Sequence, residues 1–466
     1  MSTTPQLEEN ISASFICACD EWMRSACASE GFYKERERKR YCVLHYPGSE
    51  KIVAFRIALK RKLDAEDLDF RGLWFPEKAG FEGVQFGPNA DFHGASFSAG
   101  ADFSGAGFGG SADFSGASFN ADAHFGGASF SGEAFFRKAR FNAHADFNAA
   151  SFRGRTSFYQ ARFSRHTDFY RASFSADATF YEASFDADSY FKRVSFSASV
   201  DFTRSRINAK VDFSSATFAG YLRFAGDKDH QVFGEHSYLN LQHARVEKPE
   251  RGSFHTLKLS PHWFVNVDAR KFEFVNVDWA DNLKGLKQEV ETLRPLVSSA
   301  PHRLLSIAYR QLAVNAEENH RYGEAADFRY GSMDLRRLER PRDGKGLQVL
   351  HWLYWMASGY GERVTRAVVV LAVLWLVFAG LYTRTGFERK TFPDNTEKTI
   401  VLQEDEVGRP LPFKRALIYS FAVMSLQKPE PKPLTNAAHS FVIVETILGP
   451  IQAALLALAI RRRFMR

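Results

Sequence analysis

Five side chains near the start of the chain could hold a metal ion. Cys17, Cys19, Cys27 and Cys42 are the four cysteines of the 466-residue sequence, and His45 follows Cys42 at a C-x-x-H spacing. Thiolates and imidazoles are donors for tetrahedral zinc, and a close C-x-x-H pair is a common half-site. Four positions leave one donor spare. Cys19, Cys27, Cys42 and His45 are expected as the ligands of a zinc ion, with Cys17 as the alternate. The spacing is irregular beside known finger patterns, so a small reduced domain with its cysteines buried as hydrophobes is the competing reading.

Other chemistry is sparse. No G-x-G-x-x-G follows a strand pattern, and Walker-type loops and H-E-x-x-H are absent. His124, His144, His166 and His230 are scattered. No catalytic residue is assigned, and the chain is not expected to be an enzyme. A formal charge of +7 and a pI of about 9.1 permit an anionic partner without requiring one. One carboxylate stands out. Glu445 lies inside an apolar run, where ionisable groups face a bundle interior or water.

The elements that must position these groups are built on phenylalanine, which supplies 45 residues against 7 Trp and 16 Tyr. From Phe70 it recurs at alternating steps of five and six through Phe92, Phe97, Phe103, Phe108, Phe114, Phe119, Phe147 and Phe152 to Phe224, with Ile207 standing in once. Neither a helix nor a hairpin sheet has that period. A fixed repeat sustained this long means a solenoid, whose units bury their faces only against neighbours. In the clearest units a small residue sits two positions before each Phe, as at Ala90, Ala95, Ala101 and Ala106. Residues two apart on an extended chain face the same way, so Ala and Phe both point inward. The Asp, Ser, Gly and Asn between them suit corners.

In this pattern residues 70–224 resemble the pentapeptide-repeat family. The resemblance implies a mainly β fold, a right-handed four-sided β-helix with Phe or Leu at each face centre. The extra residue in alternate repeats lengthens each turn from about 20 to about 22 residues, which predicts a bulge at two opposite corners and about seven turns. Lys and Arg are absent between Lys78 and Arg137, whereas Arg153, Arg155, Arg162, Arg165 and Arg171 crowd the second half. Imitation of DNA would need acid along the whole rod, so a nucleic-acid partner is not expected. Arg153, Arg155 and Arg162 are the candidate docking residues for an acidic protein partner.

Around the rod, residues 1–48 read as the cysteine-rich module and 49–69 as a capping helix with an apolar stripe at Ile52, Phe55 and Leu59. Residues 225–280 read as terminal coils and a cap. Residues 281–345 read as a helical linker resembling one tetratricopeptide pair, carried by Tyr309, Leu312, Tyr322, Ala325 and Phe328. Trp352, Tyr354, Trp355 and Tyr360 predict an interfacial helix over 346–365. Membrane spans are expected at 366–384 and 438–462, joined by an extracytoplasmic loop at 385–412 and a short apolar segment at 413–427.

Span, short apolar segment and span together resemble the pore domain of potassium-type channels. Residues 416–426 match the pore helix and 445–449 part of the inner helix. The glycine-containing filter of that family is missing, since residues 427–433 read Gln-Lys-Pro-Glu-Pro-Lys-Pro. Two spans put both termini on one side of the bilayer. Arg461, Arg462 and Arg463, with the basic stretch 336–345, place that side and the rod in the cytoplasm beneath the inner membrane. The N-terminus, with no apolar core, is not read as a signal peptide. Two functions follow as expectations: a membrane-anchored scaffold presenting the rod to a protein partner, or an oligomeric pore, tetrameric and controlled by the rod, with Glu445 as its intramembrane charge.

Overall fold

In the computed structural model, residues 15–279, 285–297, 300–339, 345–388 and 409–464 are described. The chain divides into two compact units, residues 1–281 and 282–466.

The first unit is a β-solenoid. Its chain visits four parallel ladders in turn, and each residue pairs with its counterpart one turn on: Ala90 with Ala112, Ser96 with Ser118, Ala101 with Ala123, and Gly107 with Ser129. These first to fourth ladders hold nine, seven, eight and eight strands, about nine turns in all. Each ladder carries a stack of phenylalanines. Phe103, Phe125, Phe147 and Phe169 follow one another at centroid distances of 4.9, 5.0 and 4.7 Å with nearly parallel planes. Phe92, Phe114, Phe136 and Phe158 form a second stack. The two stacks meet edge to face, as between Phe136 and Phe147 at 5.5 Å. Phe97 and Phe119 belong to the third, and Phe108, Phe130 and Phe152 to the fourth.

Backbone pairing sets this packing. Strands about 4.8 Å apart carry equivalent rings at the distance where aromatic faces touch. Burial of each ring contributes about 2–3 kcal/mol, and each ring pair about 0.5–1.5 kcal/mol more.

Two kinds of corner alternate. Each five-residue step turns through a left-handed residue two positions after the Phe: Gly72, Gly83, Gly94, Gly105, Gly116 and Gly127, then Lys138, Ala149, Gln160, Arg171, Glu182, Arg193, Arg204 and Ser215. Six-residue steps take up their extra residue in an open bend, and the ladders keep register across it. The expected bulge is therefore replaced by a longer corner, because a residue outside the ladder disturbs no pairing. The Asp of each Ala-Asp-Phe unit also serves a corner. Its carboxylate accepts the N–H two residues on, as from Asp91 to His93, Asp102 to Ser104 and Asp113 to Ser115, an Asx-type turn.

The ladders continue past Phe224, which is why about nine turns form where seven were expected up to that residue. Phe224 pairs with Phe254 across an insertion, and Phe254 pairs with Phe274. Phe254, Leu259, Phe264, Ala269 and Phe274 are all buried, so the last turn has plain five-residue steps. At the other end, helix α1 (Ile52–Asp64) covers the open core with Phe55, 5.3 Å from Phe75.

The second unit is helical: α2 (Leu286–Leu293), α3 (Pro301–Glu318), α4 (Tyr322–Leu338), α5 (Lys345–Ser358), α6 (Val364–Tyr382), α7 (Phe413–Met424) and α8 (Asn436–Phe464). Helices α3 and α4 pack against each other and bury Tyr309, Leu312, Ala325 and Phe328. Gly331 lets the Tyr309 ring lie on α4, where a Cβ would stand 2.6 Å from it. Helix α5 leaves Val349, Leu350, Leu353 and Met356 exposed. Helices α6 and α8 are long and apolar enough to cross a membrane, and only 17% of the apolar window of each is buried, unlike the core helix of a globular domain. The short helix α7 packs against both. Most of the expected 385–412 loop lies outside the described residues.

Candidate functional site

The cysteine module sits on the first turn of the solenoid. Cys27 ends the 3-10 helix Glu21–Cys27, Cys42 ends the strand Lys39–Cys42, and His45 lies in the turn that follows. The ligand atoms of Cys17, Cys27, Cys42 and His45 lie within 4.8 Å of one another, and all four residues are buried. Tetrahedral zinc with sulfur ligands at about 2.3 Å spaces its donors about 3.8 Å apart. His45 Nδ1 is 3.2 Å from Cys42 Sγ and 3.9 Å from Cys17 Sγ. A buried Cys3His group of these dimensions could bind a metal.

The grouping reverses the expected order of two cysteines. Cys17, named only as the alternate, is in the inner group, because the backbone N–H of Cys42 donates to its Sγ at 3.3 Å. Cys19, named as a ligand, is half-buried with its Sγ 4.0 Å from that of Cys27. Spacing alone does not separate the two members of a C-x-C pair; the fold does.

His45 is oriented by its second nitrogen. Nε2 lies 3.0 Å from the carbonyl of Arg71, which leaves Nδ1 facing the sulfurs, the arrangement that fixes a ligating imidazole. Burial works against a charge on His45, but Cys17, Cys19 and Cys42 favour it and push its pKa up to about 12. Hydrogen bonds from Cys19, Cys27 and Cys42 hold the Cys17 thiol far below its ordinary range, and Cys27 is driven the other way by contact with Cys17, Cys19 and Cys42.

Lys51 was not part of the expected site. It is fully buried, and its Nζ donates to the carbonyls of Val43 and Leu44 at 2.6 and 2.7 Å. No carboxylate among the described residues pairs with it. Burial pushes its pKa down to about 7, against the pull of Cys42 and Cys17. A buried ammonium is costly without polar partners, and the two carbonyls are the partners Lys51 has. The sequence signal was the helical spacing of Lys51, Phe55, Ala58 and Lys62, which share the buried face of α1 and its first turn. Lys62 likewise ties α1 to the module through the carbonyl of Ala26 at 3.0 Å.

The three candidate docking arginines are not brought together. Arg153 and Arg155 lie at the corner between the fourth and first ladders, and Arg162 lies on the second. Arg155 pairs with Glu133 and Arg162 with Asp186, each at 3.0 Å. What the fold gathers is a column on the second ladder. Arg140 and Arg162 are in direct register, and Arg206 follows across Ser184. Exposed Arg137 and Lys138 lie at the adjoining corner. Among the described residues no ion pair reaches Lys138, Arg140 or Arg206. Recurrence of Arg at the 22-residue period was the available signal.

Glu445 is 1% exposed and accepts hydrogen bonds from the hydroxyls of Tyr382 on α6 and Ser420 on α7. Gln452 donates to the carbonyls of Ala357 and Ala367 at 2.8 and 2.9 Å. At one end of this bundle the buried Glu362 joins Arg329 at 2.9 Å and Arg462 at 3.0 Å. Glu445 and Gln452 thus find their partners inside a single chain.

Residues 103–151 match the family model described as pentapeptide repeats, in nine copies. Nine copies in that length leave more than five residues each, as the five-and-six alternation requires. Over those residues the solenoid is similar to pentapeptide repeats. Neither the curated proteins nor the solved structures gave a match.

Proposed function

We propose that this protein is a membrane-anchored scaffold whose solenoid docks an acidic protein partner on its basic second half. The carrying observation is the row of left-handed corners. A non-glycine residue there costs about 1–2 kcal/mol, and the first half of the solenoid avoids that cost with glycine at six successive corners. The second half has Lys138, Ala149, Gln160, Arg171, Glu182, Arg193, Arg204 and Ser215 in the same strained conformation, four of them basic. Side chains retained against strain point to a use for them, and Lys138 lies beside the Arg140 column. The interior is filled by rings and offers no room for a substrate, which favours a non-enzymatic role.

Helices α6 and α8 serve as the anchor, with α5 laid along the surface by its exposed apolar side chains. Arg461, Arg462 and Arg463 favour the cytoplasm for the solenoid and both termini. The tetrameric pore is less well supported, because Glu445 is already held by Tyr382 and Ser420 and the segment after α7 is rich in proline. Zinc is the ion that three thiolates and an imidazole suit best.

Titration of the detergent-solubilised full chain with polyglutamate tests the docking surface. Lys138→Glu, Arg140→Glu and Arg206→Glu together are expected to weaken binding about tenfold or more. Unchanged binding in the variant, or none in the parent, would overturn the assignment.

A further inference from the structure

The first turn of a solenoid lacks a predecessor, and its backbone groups on that side have no partner of their own. Within the array the pattern is regular. Ser96 N–H donates to the Leu73 carbonyl one turn earlier, Ser118 to Ala95, and Arg140 to Ala117, at 2.8, 2.8 and 2.9 Å. Trp74 is the equivalent donor of the first turn, and it donates to the Leu44 carbonyl at 3.1 Å. Carbonyls at the corners follow a second pattern. His93 accepts from Gly72, Ser115 from Gly94, and Arg137 from Gly116, each at 2.7–2.8 Å. Arg71 is the equivalent acceptor of the first turn, and its partner is His45 Nε2 at 3.0 Å.

Leu44 and His45 therefore occupy the places of a missing preceding turn, one supplying the acceptor and the other the donor. They are also the last two residues of the Cys42-x-x-His45 half-site. Lys51 fastens the same stretch by holding the carbonyls of Val43 and Leu44. Met23 and Trp22, from the 3-10 helix that ends in Cys27, lie so close to Gly72 and Gly94 that a Cβ there would meet them at 2.1 and 2.8 Å. Two of the four metal donors thus bound the segments that cover the first corners.

We infer that a zinc ion held by Cys17, Cys27, Cys42 and His45 locks a pseudo-turn onto the open end of the solenoid, so that metal occupancy decides whether that end is sealed. The inference rests on the zinc reading above. The metal would hold Nδ1 of His45 while Nε2–H serves Arg71, so one imidazole joins the ion to the sheet edge. Without the ion, residues 42–45 keep the Lys51 bonds, the strand pairing of Cys42 with Phe32 and their hydrogen bonds to Trp74 and Arg71, but they lose the link that ties them to Cys17 and Cys27, and the end turn opens locally more readily while the interior stays closed.

Amide hydrogen exchange on the full chain in detergent, with zinc content measured on the same samples, tests this. Removing zinc with a chelator is expected to speed exchange at Trp74 about tenfold or more while Ser118 is unchanged, and added zinc should restore it. A protein that releases zinc with no change at Trp74 would overturn the lock and leave the metal site standing. A protein that holds no zinc would overturn both. His45→Cys supplies a variant that does not depend on unfolding the module. It keeps four donors but has no N–H for Arg71, and is expected to retain zinc while the first turn exchanges faster than in the parent. Retained zinc with parental exchange would remove the imidazole from the seal.

Discussion

The two halves of the solenoid share one interior and differ at their corners. From Phe92 to Phe218 the stacks run on with nearly constant geometry, yet the left-handed corners change from glycine to larger residues at Lys138. Charge changes at the same place, from an acidic half to one bearing exposed arginines. In the first half the acid has a structural explanation, since Asp91, Asp102 and Asp113 close their own turns. No such explanation covers Lys138, Arg140 or Arg206. The core requires the same residues everywhere, while the corners are free to carry something else, and only the second half uses that freedom at the expense of strain.

The sharpest test of the shared interior is a charge in its centre. Phe103→Asp and Phe147→Asp should be equally destructive, each by more than about 4 kcal/mol, because both place a carboxylate between stacked rings with no partner. Loss of cooperative thermal unfolding by circular dichroism checks this. A folded head in one variant and not the other would mean the halves differ inside as well.

Corner strain predicts a smaller, opposite pair. Gly105 has open space where a Cβ would go but a φ of +64°, so Gly105→Ala should destabilise by about 1 kcal/mol. Ala149, at φ 55° on the same row of corners, should be stabilised by a similar amount in Ala149→Gly. Chemical denaturation of the two variants reads the difference. Two shifts of the same sign would discard the argument that the second half tolerates strain.

The smallest effect is electrostatic and compares two aspartates on the third ladder. Burial opposes ionisation of Asp102, but the Lys78 ammonium and the Ser104 N–H hold its pKa down at about 2. Burial raises the pKa of Asp168 despite its bond from Tyr170. The stabilisation from Asp102 is present above the unfolded pKa of about 4 and is lost as pH falls towards 2. Asp168 has the opposite sign, contributing below the unfolded value and losing that contribution as pH rises through its folded pKa. Carboxyl titration by NMR should show Asp102 moving up in Lys78→Met while Asp168 stays. Movement of both would mean the corners are electrostatically coupled.

Legibility in the sequence followed the range of the interaction. The Phe frame was plain because each position repeats the same local environment. It was lost after Phe224, where the insertion put Phe254 out of step although the five-residue spacing of Phe254, Leu259 and Phe264 was there to be read. The metal cluster was half legible. Cys42 and His45 are close in sequence, but choosing Cys17 over Cys19 required the strand that sets Cys42 against Cys17. Arg153, Arg155 and Arg162 looked like one patch because they are near in sequence, whereas a solenoid of this period brings together residues a full turn apart. Glu445 stood out in the sequence as a carboxylate within an apolar run, whereas its partners Tyr382 and Ser420 come from two other helices.

By itself, then, the sequence determined the repeat, its period, the inward residues and the two apolar helices, because these depend on patterns along the chain that backbone geometry converts directly into structure. Only the tertiary structure decided which cysteines meet, which arginines align, and that Leu44 and His45 stand in for an absent turn. Those depend on where distant segments come to rest against one another, and the physical reason is that an open sheet edge accepts any donor and acceptor that the rest of the fold delivers to it.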